Sequence, residues 1–161
     1  NSFKAGSVIQ IPLFLFLEPG LVSFSVLREY PSMRVLALSG GIATGKSTVA
    51  KMIHRLMPTS AFFDCDESVQ CLLQAQEVLE EISETLGQSV IKTEGSLDRA
   101  TLRKLVFENE ISREKLETIL HPKVRKECLE KLNFYSRTSS TTLFVADVPL
   151  LFESGFDFIE M

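Results

Sequence analysis

Residues 34–57 read RVLALSGGIATGKSTVAKMIHRLM, and no other stretch restricts the possible folds as much. Val35, Leu36, Ala37 and Leu38 form a short continuous apolar run that ends at glycine. A strand covered on both faces in a parallel sheet has this pattern. From Lys46 the period changes: Val49, Ala50, Ile53, Leu56 and Met57 recur at helical spacing until Pro58 stops them. A buried strand, a glycine-bearing loop and a helix in that order make the opening unit of an α/β sheet.

The remainder extends that reading. Residues 61–64 (AFFD) form a second apolar run after a short connection, as α/β units prefer. Helical periodicity follows in Val78, Leu79, Ile82 and Leu86, closed by Gly87, then in Leu102, Leu105 and Val106, and again in Leu116, Ile119 and Leu120. His121-Pro122 is expected to open a further helix through Val124, Leu129 and Leu132, with proline at the first position, where its missing N–H does no harm. A third strand is expected over residues 142–146, ahead of Asp147. At 161 residues, 45% hydrophobic and 24% charged, the chain can bury one real core.

Gly40-Gly41-Ile42-Ala43-Thr44-Gly45-Lys46-Ser47 fits G-x-x-x-x-G-K-[ST], placed between strand and helix as its mechanism requires. Backbone N–H groups of such a loop turn inward around phosphate oxygens, and the helix N-terminus adds positive potential. Lys46 brings a point charge to the β- and γ-phosphates of a nucleoside triphosphate such as ATP. Ser47 places a hydroxyl for Mg²⁺, and Thr48 either caps the helix or touches the α-phosphate. The plain alternative, an ordinary glycine turn, does not account for the lysine and hydroxyls at these spacings.

Transfer of a phosphoryl group also needs a residue to orient or deprotonate the acceptor. Asp64-Cys65-Asp66 follows the second strand, and an extended backbone there puts both carboxylates on one face with Cys65 on the other. Asp66 is the candidate base, with Asp64 as helper or water-mediated magnesium partner; equally, Asp66 can simply cap a helix starting near Glu67. Asp147 at the end of the third strand either holds Mg²⁺ through water or caps a turn.

A formal net charge of −4 argues against a broad nucleic-acid-binding face and favours a local pocket for a small anion. Cys65, Cys71 and Cys128 lack metal-like spacing and read as free thiols in a reducing, cytoplasmic setting. Residues 1–32 read apart from the rest, as an upstream extension. Their apolar segment is cut by Pro12 and by Glu18-Pro19-Gly20 into pieces too short to span a bilayer as one helix. A targeting role, which would make the location organellar or membrane-associated, is the weaker reading. No residue pattern specifies an oligomeric state.

LSGGIATGKSTVA, FFDCDESV, EGSLDRATLRKLVF, LHPKV and DVPLLFESG, in this order and spacing, resemble the dephospho-CoA kinase family over nearly all of residues 33–161. The resemblance implies a three-layer P-loop kinase fold with a parallel sheet and a helical acceptor-binding insertion over about residues 67–136. It implies ATP-dependent phosphorylation of the ribose 3′-hydroxyl of dephospho-CoA, with Mg²⁺. It makes Asp66 the catalytic base beside Lys46, and it puts Arg103 and His121 near the acceptor. From residues alone, Arg99 and Arg103 form one helical face that is ordinarily solvated, and His121 reads as structural. Where the family usually carries an arginine after D-x-D, this chain has Gln70.

Family members continue past P-L-L-F-E into two further strands, an arginine-bearing lid and a segment around adenine. By that resemblance the fold is incomplete at the C-terminus and the edge of the first strand is uncovered. Two readings of different class follow: an active kinase, or a non-catalytic domain binding nucleotide and CoA. Another small-molecule kinase is disfavoured by the H-P and P-L-L-F-E segments.

Overall fold

The computed structural model describes residues 23–29, 33–40, 44–137 and 140–148, the first segment by its backbone alone. Four strands, β1 (Ser23–Glu29), β2 (Arg34–Ser39), β3 (Ser60–Asp64) and β4 (Leu143–Val148), form one sheet in the order β1-β2-β4-β3. β4 runs parallel to β2 on one side and to β3 on the other. The last strand in sequence is therefore central, and it is buried along almost its whole length: LFVADV exposes only Asp147 in part.

Register sorts the side chains into two faces. Leu38, Leu143 and Val145 pack with Leu36, Phe62 and Val49, Ala50 and Ile53 of helix α1 (Lys46–Leu56). Val35, Phe63, Phe144 and Ala146, the alternate positions, are fully buried on the opposite face. The last turns of helix α5 (Glu110–Ser136) meet that face: the Tyr135 ring lies 6.2 Å from Phe144, and Lys131 Nζ sits 5.2 Å from the centre of the Phe63 ring. Helix, sheet and helix give the expected three layers. At about 1.5–3 kcal/mol for each large apolar side chain withdrawn from water, this double-sided burial dominates the unit.

The chain forms two compact units, Asn1–Cys65 with Cys128–Met161, and Asp66–Glu127. The second is helical: the end of α2 (Cys65–Leu72), α3 (Gln76–Leu86), α4 (Arg99–Glu108) and the start of α5. Val78, Ile82, Val90, Leu97, Leu102 and Leu120 are among its buried core. Gly87 ends α3 at φ 97°, a torsion costly for any residue with a Cβ. Asp98 starts α4: its Oδ1 accepts from Ala100 N and Thr101 N at 3.0 Å, and its Oδ2 from Thr101 Oγ1 at 2.9 Å. These bonds, with the Thr101 N–H foremost, hold the Asp98 carboxyl below its ordinary range. Ser68 Oγ donates to Glu127 Oε2 at 2.6 Å and ties α2 to α5.

Three expectations need correction. First, residues 1–32 do not stand wholly apart, because Ser23–Glu29 pairs antiparallel with β2 from Ser23↔Ser39 to Glu29↔Arg34, with a bulge between Val26 and Arg28. The edge expected to be uncovered is thus covered. The signal was present in Ser23, Phe24, Ser25 and Val26, an alternation with the period of a strand that the turn-like Glu18-Pro19-Gly20 shortly before it obscures.

Second, Asp64-Cys65-Asp66 is not extended. β3 ends at Asp64 and α2 begins at Cys65, so Asp66 lies in the first helical turn, where neighbours two apart are rotated by about 200°. Burial of Cys65 and Ser68, three apart, sets that helical phase immediately after the strand.

Third, His121-Pro122 opens no helix. α5 runs unbroken through Pro122, and β4 reaches Val148, taking Asp147 inside the strand. Leu120, Val124, Cys128 and Leu132 form a buried stripe at four-residue spacing, 5%, 1%, 0% and 2% exposed. A proline inside a helix costs about 3 kcal/mol, and a stripe of this length outweighs it.

Candidate functional site

The loop after β2 begins at Gly40 and returns through Thr44 and Gly45 to α1; Gly41, Ile42 and Ala43 lie outside the described residues. Gly45 sits at φ 90°, ψ 16° as the residue preceding the helix, and a Cβ there would meet nothing within 4 Å. The need for glycine is thus torsional, not steric. Thr48 N and Val49 N donate to Gly45 O at 2.9 and 3.0 Å, while no side chain caps the start of α1. The first-turn N–H groups, with the positive end of the helix dipole behind them, suit an anion.

Lys46 Nζ donates to the Gly40 carbonyl at 2.7 Å, so the side chain reaches back over the loop to its first residue. The ammonium is thereby held part-buried against the backbone at the end of β2. Ser47 and Thr48 are exposed in the first turn of α1.

The sheet contributes two carboxylates. Asp64 and Asp147 are register partners on neighbouring parallel strands, and Asp147 is also opposite Leu38, one residue before Ser39 and two before Gly40. Alternation places both on the α1 side of the sheet with Leu143 and Val145. Asp147 Oδ1 is buried and Asp64 is exposed. Carboxylates and a hydroxyl are hard oxygen donors, the kind that suits magnesium, so the residues present fit that ion. Strand C-terminal ends are where open α/β sheets bind ligands.

Asp66, Arg103 and His121 belong to the helical unit. Asp66 is exposed in the first turn of α2. His121 is half-buried in the middle of α5, ahead of Pro122. Arg103 lies on the exposed side of α4 and lines a cavity of about 540 Å³ with Arg99, Ala100, Lys104 and Phe107. Lys104 and Phe107 carried no role in the sequence reading. Their spacing with Arg99 and Arg103 at one, four and eight residues was the available signal. The segment Pro149-Leu150-Leu151-Phe152-Glu153 lies outside the described residues.

Residues 34–160 match a family model described as Dephospho-CoA kinase. A dephospho-CoA kinase of Symbiobacterium thermophilum is 42% identical over 126 residues, covering 78% of this chain and 52% of that protein. One of Fusobacterium nucleatum is 38% identical over 129 residues, covering 78% and 62%. The chain thus spans a little over half the length of these curated relatives. The solved dephospho-CoA kinase from Campylobacter jejuni superposes with a TM-score of 0.57 at 29% identity, over 76% of this chain and 59% of that one. With a family model matching residues 34–160 and a relative 42% identical over 78% of this chain, the chain belongs to the dephospho-CoA kinase family.

Proposed function

We propose that this protein transfers the γ-phosphoryl group of ATP to the ribose 3′-hydroxyl of dephospho-CoA, giving CoA and ADP. The observation that carries the reading is Lys46 held over the loop on the Gly40 carbonyl, in a strand–loop–helix whose helix start lacks a side-chain cap. A polyphosphate entering that loop exchanges one acceptor for the Lys46 ammonium and gains the first-turn N–H groups.

Gly40, Gly41, Ile42, Ala43, Thr44, Gly45 and Lys46 hold the phosphates, with Ser47 and Thr48 at the helix start. Ser47 and Asp147 would hold Mg²⁺, which would supply positive charge against the β- and γ-phosphates. Asp66 accepts the 3′-hydroxyl proton as the new oxygen–phosphorus bond forms and the bond to ADP breaks, then releases it to water. Helix capping is a lesser role for Asp66, since it lies inside the first turn of α2 and not before it. Arg103 and His121 contact the acceptor. Cys65, Cys71 and Cys128 form no disulfide, which fits a reducing, cytoplasmic compartment. Among the described residues no helix is long and apolar enough to cross a membrane.

The test is ADP release from Mg·ATP with dephospho-CoA as acceptor, in wild type and Asp66→Asn. Wild type is expected to turn over, and Asp66→Asn to lose about 10²-fold in kcat with ATP affinity retained. Turnover with nucleoside monophosphates but not dephospho-CoA would overturn the acceptor assignment. Unchanged kcat in Asp66→Asn would remove the base.

A further inference from the structure

The short helix that carries Asp66 has little apolar contact to hold it. α2 meets the core of the helical unit through Val69 and Leu72, both only partly buried, with Leu73 just beyond its end. Its buried side chains are Cys65 and Ser68, 0% and 6% exposed. Ser68 is thus a hydroxyl withdrawn from water, and such a group needs a partner. Its Oγ donates to Glu127 Oε2 at 2.6 Å, a length typical of a hydroxyl bound to a carboxylate and among the stronger hydrogen bonds. Glu127 stands on α5, whose Ile119 and Leu120 belong to the core of the helical unit, so the acceptor is carried by an anchored helix.

Apolar burial has no direction, and by itself it holds the rotation of a helix loosely. A hydrogen bond is directional. At 3.6 residues per turn, Asp66 and Ser68 lie about 200° apart around α2, so the bond that draws Ser68 toward α5 turns Asp66 to the other side, where it is exposed. A carboxyl about 5 Å from a helix axis moves by more than about 1 Å when the helix turns by about 20°. For a catalytic group, a misplacement of about 1 Å costs up to about 10²-fold in rate. Two apolar residues in place of Ser68 and Glu127 would match the stability of the bond but would not fix the angle.

We infer that the Ser68–Glu127 hydrogen bond sets the rotation of α2 and thereby holds the Asp66 carboxylate in the direction that proton transfer needs. Ser68 and Glu127 are positioning residues: neither takes the proton, and both act through Asp66. The inference rests on Asp66 as the base, proposed above, and adds two residues to it.

The experiment measures ADP release from Mg·ATP with dephospho-CoA on the whole chain, beside the melting temperature and the affinity for a non-hydrolysable ATP analogue, which report folding. Ser68→Ala and Glu127→Ala are each expected to lower kcat by about tenfold, with KM for ATP held within about twofold. Glu127→Gln keeps an acceptor oxygen and should retain kcat within about threefold. Ser68→Ala combined with Glu127→Met replaces the bond by apolar contact, so the melting temperature returns close to that of wild type while kcat stays low. Adding Ser68→Ala to Asp66→Asn should lower kcat no further, because the two changes remove one function. Wild-type kcat in Ser68→Ala and Glu127→Ala, or kcat restored together with the melting temperature in the apolar pair, overturns this inference and leaves Asp66 as the base. A Ser68→Ala loss that persists in full beside Asp66→Asn overturns it as well. Wild-type kcat in Asp66→Asn, or no turnover in wild type, overturns the base and this inference together.

Discussion

The sheet unit and the helical unit place their chemistry by different means. In the first, the candidate groups stand at strand ends and in one loop, where backbone pairing dictates which residues are neighbours. Asp64 and Asp147 are far apart in sequence and adjacent only because β3 and β4 share a register. In the second, Arg99, Arg103, Lys104 and Phe107 are brought together by the turn of a single helix, whose other side, through Leu102, Leu105 and Val106, enters the core. The sheet unit thus builds a site by long-range pairing, which tolerates little change. The helical unit groups these side chains on an outer face, where residues can change without disturbing the core.

The largest effect is expected from breaking the helical unit at its centre. Ile82 is fully buried, and Ile82→Ala should cost about 2–5 kcal/mol, from lost apolar burial and the cavity left behind. If the units hold their chemistry separately, dephospho-CoA binding is lost on heating before ATP binding, measured by calorimetry at stepped temperatures. Simultaneous loss of both would mean that the two units melt as one.

Next comes the loop of the sheet unit. Lys46→Ala removes the ammonium held at the Gly40 carbonyl and should weaken Mg·ATP by about 10²-fold, from the one or more charge-assisted bonds it makes. Dephospho-CoA affinity measured in the absence of nucleotide should stay within about twofold, since Lys46 is assigned to the ATP phosphates and not to the acceptor. Equal ATP affinity in the two proteins would dismiss the loop as the nucleotide site.

A third measurement addresses the edge of the sheet. Val35, Leu36, Ala37 and Leu38 on β2 are uncharged and β-prone, and β1 covers their backbone groups on one side. Deleting residues 1–32 should therefore increase self-association, seen by light scattering at matched concentrations, because an uncovered strand templates pairing. Identical scattering from the full and shortened chains would show that β1 protects nothing.

The smallest effect belongs to the start of α4. Asp98→Ala removes the cap and should lower the melting temperature by no more than a few degrees at neutral pH. The Asp98 carboxyl is held below its ordinary 3.8, so its contribution is present above that value and fades as pH falls through the lower folded value. The gap between wild type and Asp98→Ala should close in strong acid. A gap independent of pH would assign the loss to something other than the carboxylate.

Local rules made much of this protein legible from its residues. The strand Arg34–Ser39, the helix Lys46–Leu56 and the helix closed by Gly87 coincide with their sequence-based expectations, because periodicity, a left-handed glycine and a stopping proline act within a few residues. Of the candidate site, the start of α1 at Lys46 and the glycine before it fall where the motif leads one to expect, for the same reason, while Gly41, Ile42 and Ala43 lie outside the described residues. Arg99 and Arg103 were visible as one face of a helix, but not the cavity they line, whose volume depends on segments folding beside α4.

Tertiary structure decided the rest. Whether Asp64-Cys65-Asp66 stays extended depends on Cys65 being buried as α2 begins, and whether Pro122 starts or interrupts a helix depends on what Leu120, Val124, Cys128 and Leu132 are buried against. The pairing of β1 with β2 required a partner strand, which alternation in Ser23–Glu29 suggests but cannot identify. The sequence by itself determined the α/β class and the strand–glycine–helix order around Lys46, since both follow from torsions and periods along the chain. Burial against distant segments determined where Asp66, Asp147 and His121 lie, because that energy exists only once those segments meet.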